Sequence, residues 1–186
     1  MTEHPGGRRE RRKTDTRRAL EDAALRRFAR DGYDDTSVEA IAADAGVSAR
    51  TFFRYFATKD EVLDMGREAR EEDVRAAVRA AQGDGPALAR HGVLALAAGF
   101  AGDRDRVELR RRAAASSPVL RGRLLDTLVS WERTLSSALA ERDVPDADVL
   151  AAVGVAVFRV AVARWLQVGG SLDDLVLQGF HAVPAW

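Results

Sequence analysis

The sequence predicts an all-α protein, and three observations carry that reading. Apolar residues recur at i, i+3, i+4 and i+7 over most of the 186 residues, and no stretch shows the period-two alternation of a half-buried strand. Ser, Thr and Asp stand at the starts of these stretches and glycines at several of their ends, where caps and left-handed turns belong. Hydrophobic content is 46% with no cysteine, so the fold rests on a packed apolar core, with no disulfide framework or thiolate metal site.

Taken in order, the first helix is expected from Thr14–Thr16, with Leu20, Ala23, Ala24 and Phe28 on one face, ending at Asp31-Gly32. Thr36 and Glu39 form a capping-box pattern for a short second helix whose Val38, Ile41, Ala42 and Ala45 make a buried stripe; Gly46 ends it. Ser48 caps a third helix to about Phe56, and Thr58 with Glu61 repeats the capping box for a fourth, to about Ala81. Gln82 to Pro86 is the clearest break in the chain. Beyond it the pattern predicts helices at roughly 86–101, 104–115, 118–142, 146–168 and 171–182. Pro118 suits a first helical position after Ser117, and Leu124, Leu128, Trp131, Leu135 and Leu139 then form a long stripe. Ser171, with Asp173 and Asp174 in the first turn, opens the last helix.

The formal net charge is zero but unevenly spread: residues 1–18 hold seven basic groups against three acidic, a balance of +4. Such an arm reads either as a tether for phosphate or as a solubilising end. No apolar leader is present at the N-terminus, and the most apolar stretch, Val149 to Val168, is interrupted by Arg159, Arg164 and Gln167, which argues against a membrane span. A cytoplasmic protein is expected. Histidine occurs only at His4, His91 and His181, without a Ser-His-Asp, HExxH or glycine-rich phosphate motif in a convincing context, so no catalytic role, metal or cofactor is expected.

Two short helices joined at Gly46-Val47 have the spacing of a helix-turn-helix. At 100° per residue, Phe52, Phe56 and Tyr55 of the third helix turn toward the first two, leaving Arg50 and Arg54, flanked by Thr51 and Phe53, on the opposite face. Arginine can pair bidentately with guanine, and Thr51 or Phe53 can touch a thymine methyl or the backbone. The alternative is an ordinary solvated face, against which stands the cost of leaving Phe53 uncovered.

The run GYDDTSVEAIAADAGVSARTFFRYFATKDEVL resembles the N-terminal signature of the TetR (tetracycline repressor) family, over about residues 15–65. The shared features are Gly-Tyr after helix one, Thr at the start of helix two, Ala-Gly-Val-Ser at the turn, an aromatic-rich third helix and a Lys-containing cap. The resemblance implies about nine helices in three parts: a flexible basic arm over 1–13, a DNA-binding domain over 14–72 with its motif at about 37–56, and a ligand-binding and dimerisation domain over 73–186. It implies a homodimer formed by the last two helices, a repressor on a palindromic operator, and release by an unknown small-molecule effector. Thr36 and Ser37 would meet phosphate, Ser48, Ala49, Arg50 and Thr51 base edges, Arg54 either, and Tyr55 and Lys59 the backbone. Phe53 departs from the pattern, standing where the family usually has a tyrosine whose hydroxyl meets a phosphate. Leu94, Phe100, Leu109, Arg112, Trp131 and Phe158 are the candidate pocket residues, against the alternatives of ordinary core packing for the apolar five and a solvated surface for Arg112. The competing reading is a sequence-independent DNA-binding or helical scaffold protein.

Overall fold

The structure, a computed structural model, describes residues 5–64 and 66–183, with side chains from residue 11 onward. Among the described residues it has nine α-helices, one 3-10 segment and no strand. The helices are α1 (Pro5–Asp31), α2 (Val38–Asp44), α3 (Ala49–Tyr55), α4 (Arg67–Ala80), α5 (Gly85–Ala98), α6 (Arg104–Ser116), α7 (Pro118–Ala140), α8 (Ala147–Val168) and α9 (Leu172–His181). The all-α expectation therefore holds, and the helices beyond residue 85 fall within a few residues of their predicted bounds.

Three starts differ from the sequence reading. The first helix begins at Pro5, well before Thr14. Thr16 is mid-helical, its hydroxyl donating to the Arg12 carbonyl at 2.8 Å in the preceding turn rather than capping a new one. Of the basic arm expected over 1–13, Met1–His4 and the side chains of residues 5–10 lie outside the described residues. The second helix is capped by Ser37, whose Oγ accepts from the Ala40 amide at 3.1 Å, and not by Thr36. Thr36 is buried, its hydroxyl donating to the Gly32 carbonyl at 2.7 Å to close the α1–α2 corner. The fourth helix is divided. Lys59–Asp64 forms a 3-10 segment with Glu61 accepting from the Ala57 amide, and α4 starts only after Gly66, whose φ of +75° takes the chain out of helical backbone.

Contacts divide the chain into two compact units that do not follow chain order: Met1–Met65 with Asp105–Leu124, and Gly66–Arg104 with Leu125–Trp186. In the first unit Leu20, Ala24, Phe28, Ile41, Phe52, Phe56, Val62 and Leu63 form the core, joined by Ala113, Ala114 and Leu120 from α6 and the start of α7. Burying Phe28, Phe52 and Phe56 stabilises this unit by roughly 2–3 kcal/mol each, relative to leaving them exposed. In the second unit α5 packs on α4, α8 and α9, and α8 on α9. Helices approach closely at glycine: a Cβ on Gly92 of α5 would lie 2.6 Å from Leu135, and one on Gly179 of α9 would lie 2.7 Å from Val157. Arg142 donates to the Val78, Arg79 and Ala81 carbonyls, closing the C-terminal end of α4, where positive charge also suits the helix dipole. Helix α8 is long and apolar enough to cross a membrane by length and composition, and 39% of its most apolar window is buried within the fold. Val149, Val160 and Val168 on it remain exposed.

Candidate nucleic-acid interface

The short helices α2 and α3 are fixed at their starts by serine. Ser48 caps α3, its Oγ accepting from the Thr51 amide at 3.2 Å and lying 3.1 Å from the Thr51 hydroxyl. Between the helices Gly46 has φ +69°, a left-handed turn that brings the Val47 amide onto the Ala42 carbonyl at 2.9 Å. Phe52 is fully buried and packs against Phe56, with ring centroids 5.3 Å apart, which anchors one face of α3 in the core. Tyr55 is half-buried beside them.

The opposite face of α3 carries Arg50, Phe53 and Arg54, all exposed, with Ser48 exposed at its start and Ala49 and Thr51 partly so. Arg50 makes no ion pair or side-chain hydrogen bond with any described residue that the structure shows, and Arg54 only leans on the Tyr55 ring at 5.3 Å. Phe53 is 56% exposed, touching Phe52 edge-on. A cationic, donor-rich surface with an uncovered phenyl group, on a helix held by its other face, is suited to an acceptor-rich and partly apolar partner such as a DNA groove.

Lys59 sits differently. Its ammonium donates to the Tyr33 carbonyl at 2.6 Å and the Thr36 carbonyl at 3.0 Å, and lies 4.1 Å over the Tyr33 ring. It thus pins the α1–α2 corner from within. The neighbouring Asp60 accepts from the Arg123 guanidinium of α7 and lies 3.4 Å from the Tyr33 hydroxyl. Burial would raise the Asp60 carboxyl. The hydrogen bonds from Arg123, Thr58 and its own backbone outweigh that and hold it below the usual carboxylate range. Two further bridges frame the unit: Arg27 grips Asp44 at the end of α2 at 2.6 and 2.8 Å, and Arg106 of α6 reaches Glu21 at 2.8 Å and Asp22 at 2.6 Å. Their partners lie 17 to 85 residues apart in sequence, beyond any helical periodicity.

The six candidate pocket residues separate. Phe100, Trp131 and Phe158 meet in the second unit, with ring centroids 5.6–5.8 Å apart. Leu94 is half-buried on α5 in the same unit. Leu109 packs on the core of the first unit, and Arg112, also on α6, lies exposed with its guanidinium 2.9 Å from Glu108. Hydrogen bonds from Arg111 and Arg112 hold the Glu108 carboxyl down at about 2 against the opposing effect of burial.

A cluster of core-anchored short helices with an outward cationic face defines a helix-turn-helix regulator. Residues 20–64 match the family described as bacterial regulatory proteins, tetR family. Over 174 residues, 86% of this chain and 76% of the relative, the protein is 33% identical to the HTH-type transcriptional regulator TcmR of Streptomyces glaucescens. A shorter stretch of 52 residues is 42% identical to the putative mycofactocin biosynthesis transcriptional regulator MftR of Mycobacterium tuberculosis, covering 28% of this chain and 26% of that one. The fold is shared with the fatty acid degradation regulator FadR of Bacillus halodurans, with TM-score 0.65 and 19% identity over 97% of this chain and 95% of that one. It is shared too with Thermus thermophilus FadR, a repressor solved with lauroyl-CoA, with TM-score 0.57 and 22% identity over 89% and 91%. The chain belongs to the tetR family of bacterial transcriptional regulators.

Proposed function

We propose that the protein is a homodimeric repressor that reads a palindromic operator through the outer face of α3 and leaves it when a small molecule occupies the second unit. The observation that carries this reading is the pair Arg50 and Arg54, exposed beside Phe53 on a helix whose other face is locked into the core. Arg50 reads guanine, with Ser48, Ala49 and Thr51 against neighbouring base edges; Arg54 reads a base or holds a phosphate. Ser37 and Tyr55 meet phosphate. Thr36 and Lys59 serve from inside, holding the corner that sets where α2 meets the backbone. Phe53 contributes by packing on sugar or a thymine methyl.

Dimerisation falls to α8 and α9. Val153, Ala156, Val160 and Arg164 of α8 line an apolar groove with Leu175 of α9 and with Val183 beyond it. Val149 and Val168 extend the exposed apolar side of α8. A second copy covers such a surface across a two-fold axis, and two reading helices then face an inverted repeat. An effector releases the DNA if it binds more tightly to a conformer whose reading helices are wrongly spaced.

Selection of bound fragments from genomic DNA tests this reading. Recovered fragments should share an inverted repeat and carry two protomers each, and the Arg50→Ala, Arg54→Ala variant should enrich nothing. Recovery of unrelated sequences by the native protein would point instead to sequence-independent binding.

A further inference from the structure

We propose that the Phe100–Trp131–Phe158 cluster takes a planar aromatic ligand bearing a hydrogen-bond-accepting oxygen, and that this oxygen is held by the Trp131 indole N–H. The proposal rests on the reading of the second unit as effector-binding and adds the chemical class of the effector.

Trp131 is 3% exposed in the middle of α7. Its Nε1 is buried and meets no hydrogen-bond partner among the described residues. The same unit shows what a satisfied indole looks like: Trp165 Nε1 donates to the Gly170 carbonyl at 3.0 Å. Buried donors are almost always paired, because desolvating one without an acceptor is costly. Both phenylalanines meet the indole edge-to-face, at 76° and 86°. Aromatic rings are weak acceptors at best, so a ligand oxygen would supply what the ring cluster lacks.

The shape of the ligand follows from the same rings. Phe100, Trp131 and Phe158 close on one another, so a ligand enters by replacing ring contacts. A flat aromatic molecule restores the edge-to-face and tilted ring contacts it displaces, and an acyl chain does not. Thr127 and Thr134 lie four residues before and three after Trp131, on the same face of α7, and both are buried. They add hydroxyl groups to that face. The Arg70 guanidinium lies 4.3 Å from the Phe100 ring centroid and donates to the Gly99 carbonyl at 2.8 Å. Its positive charge disfavours a cationic ligand and suits a carbonyl or phenolic oxygen.

The pair 9-fluorenone and fluorene tests this, since the two share a planar ring system and differ at the bridging carbon, a carbonyl in one and a methylene in the other. Calorimetric titration should show the native protein preferring 9-fluorenone by roughly tenfold, the loss expected for one buried hydrogen bond. Trp131→Phe, which keeps an aromatic ring and removes the N–H, should bind both at the fluorene level while its melting temperature stays level or rises. Equal affinity of the native protein for the two, no binding of either, or a preference that survives Trp131→Phe would overturn the proposal. Operator binding is recorded separately. A protein that holds its operator but ignores the carbonyl sinks this site alone. One that prefers 9-fluorenone but binds no operator sinks the repressor reading and leaves the site standing.

Discussion

The two units are held together by different chemistry. In the first, cross-links between distant segments are directional: Arg27 on Asp44, Arg106 on Glu21 and Asp22, Arg123 on Asp60, and Lys59 on two carbonyls. In the second, the long-range hydrogen bonds run mostly from arginine to backbone carbonyls, as Arg142 does at the end of α4, beside close helix approach at Gly92 and Gly179 and a cluster of three aromatic rings. Hydrogen-bonded ion pairs fix angle and distance, as a surface that must match the spacing of base edges requires. Apolar packing is non-directional and fixes volume more than angle. On the proposed function, the contrast suits the first unit to holding a geometry and the second to exchanging one packing for another.

The largest expected effect comes from removing the reading groups without touching that framework. Arg50→Ala with Arg54→Ala should weaken specific DNA binding at least about a hundredfold, each bidentate base contact contributing roughly 1–3 kcal/mol. Both side chains are exposed, so the melting temperature should stay within about a degree or two of the native value. A large fall in melting temperature would show that the reading face and the framework are not separable.

Phe52→Ala attacks the framework itself and should cost about 3–5 kcal/mol of stability in chemical unfolding, since Phe52 is fully buried. DNA binding should then fail through unfolding, recovering at low temperature if enough folded protein remains.

Lys59→Met sharpens the comparison further. If Lys59 works from inside, affinity should drop by a similar factor at every salt concentration, and the slope of log affinity against log salt should stay constant. A phosphate contact would instead reduce that slope by about 0.9.

The clamp between Asp60 and Arg123 predicts a pH dependence. The Asp60 carboxyl is lower in the folded protein than in the unfolded chain, so the folded state binds this proton less readily. Its contribution is present above the ordinary carboxylate range and is lost as pH falls through the folded value. Between about pH 5 and pH 3 the native protein should lose more melting temperature than Asp60→Asn does. The smallest expected effect is that of Phe53→Tyr. A hydroxyl there should raise operator affinity a few-fold if the exposed ring lies against phosphate, by the net value of one hydrogen bond.

Much of the local structure was legible because it is local. Ser48 and Ser171 cap where the pattern put them, and Gly32 and Gly46 have the positive φ expected at helix ends. The sides of α3 followed from spacing alone, with Phe52 and Phe56 inward and Arg50, Phe53 and Arg54 outward. Thr36 was misread because a threonine before a helix can cap forward or bond backward, and here Gly32 offered a nearer carbonyl. Gly66 was passed over because an apolar period on both sides masks a single left-handed residue. The interior role of Lys59, the Arg123–Asp60 clamp and the placing of Leu109 with the first unit depend on segments that meet only after folding, and no periodicity encodes them. The resemblance carried Lys59 over as a DNA-backbone contact, and in the structure its ammonium donates to the Tyr33 and Thr36 carbonyls.

The most direct test of the account is the ratio of affinities for the duplex upstream of the protein's own gene and for a scrambled duplex of equal composition, measured near physiological salt. A regulator that reads sequence and controls its own locus should prefer the first by about a thousandfold or more. Equal affinities that fall together as salt rises, with no sequence recovered by genomic selection, would contradict it and leave a protein that binds DNA only by charge.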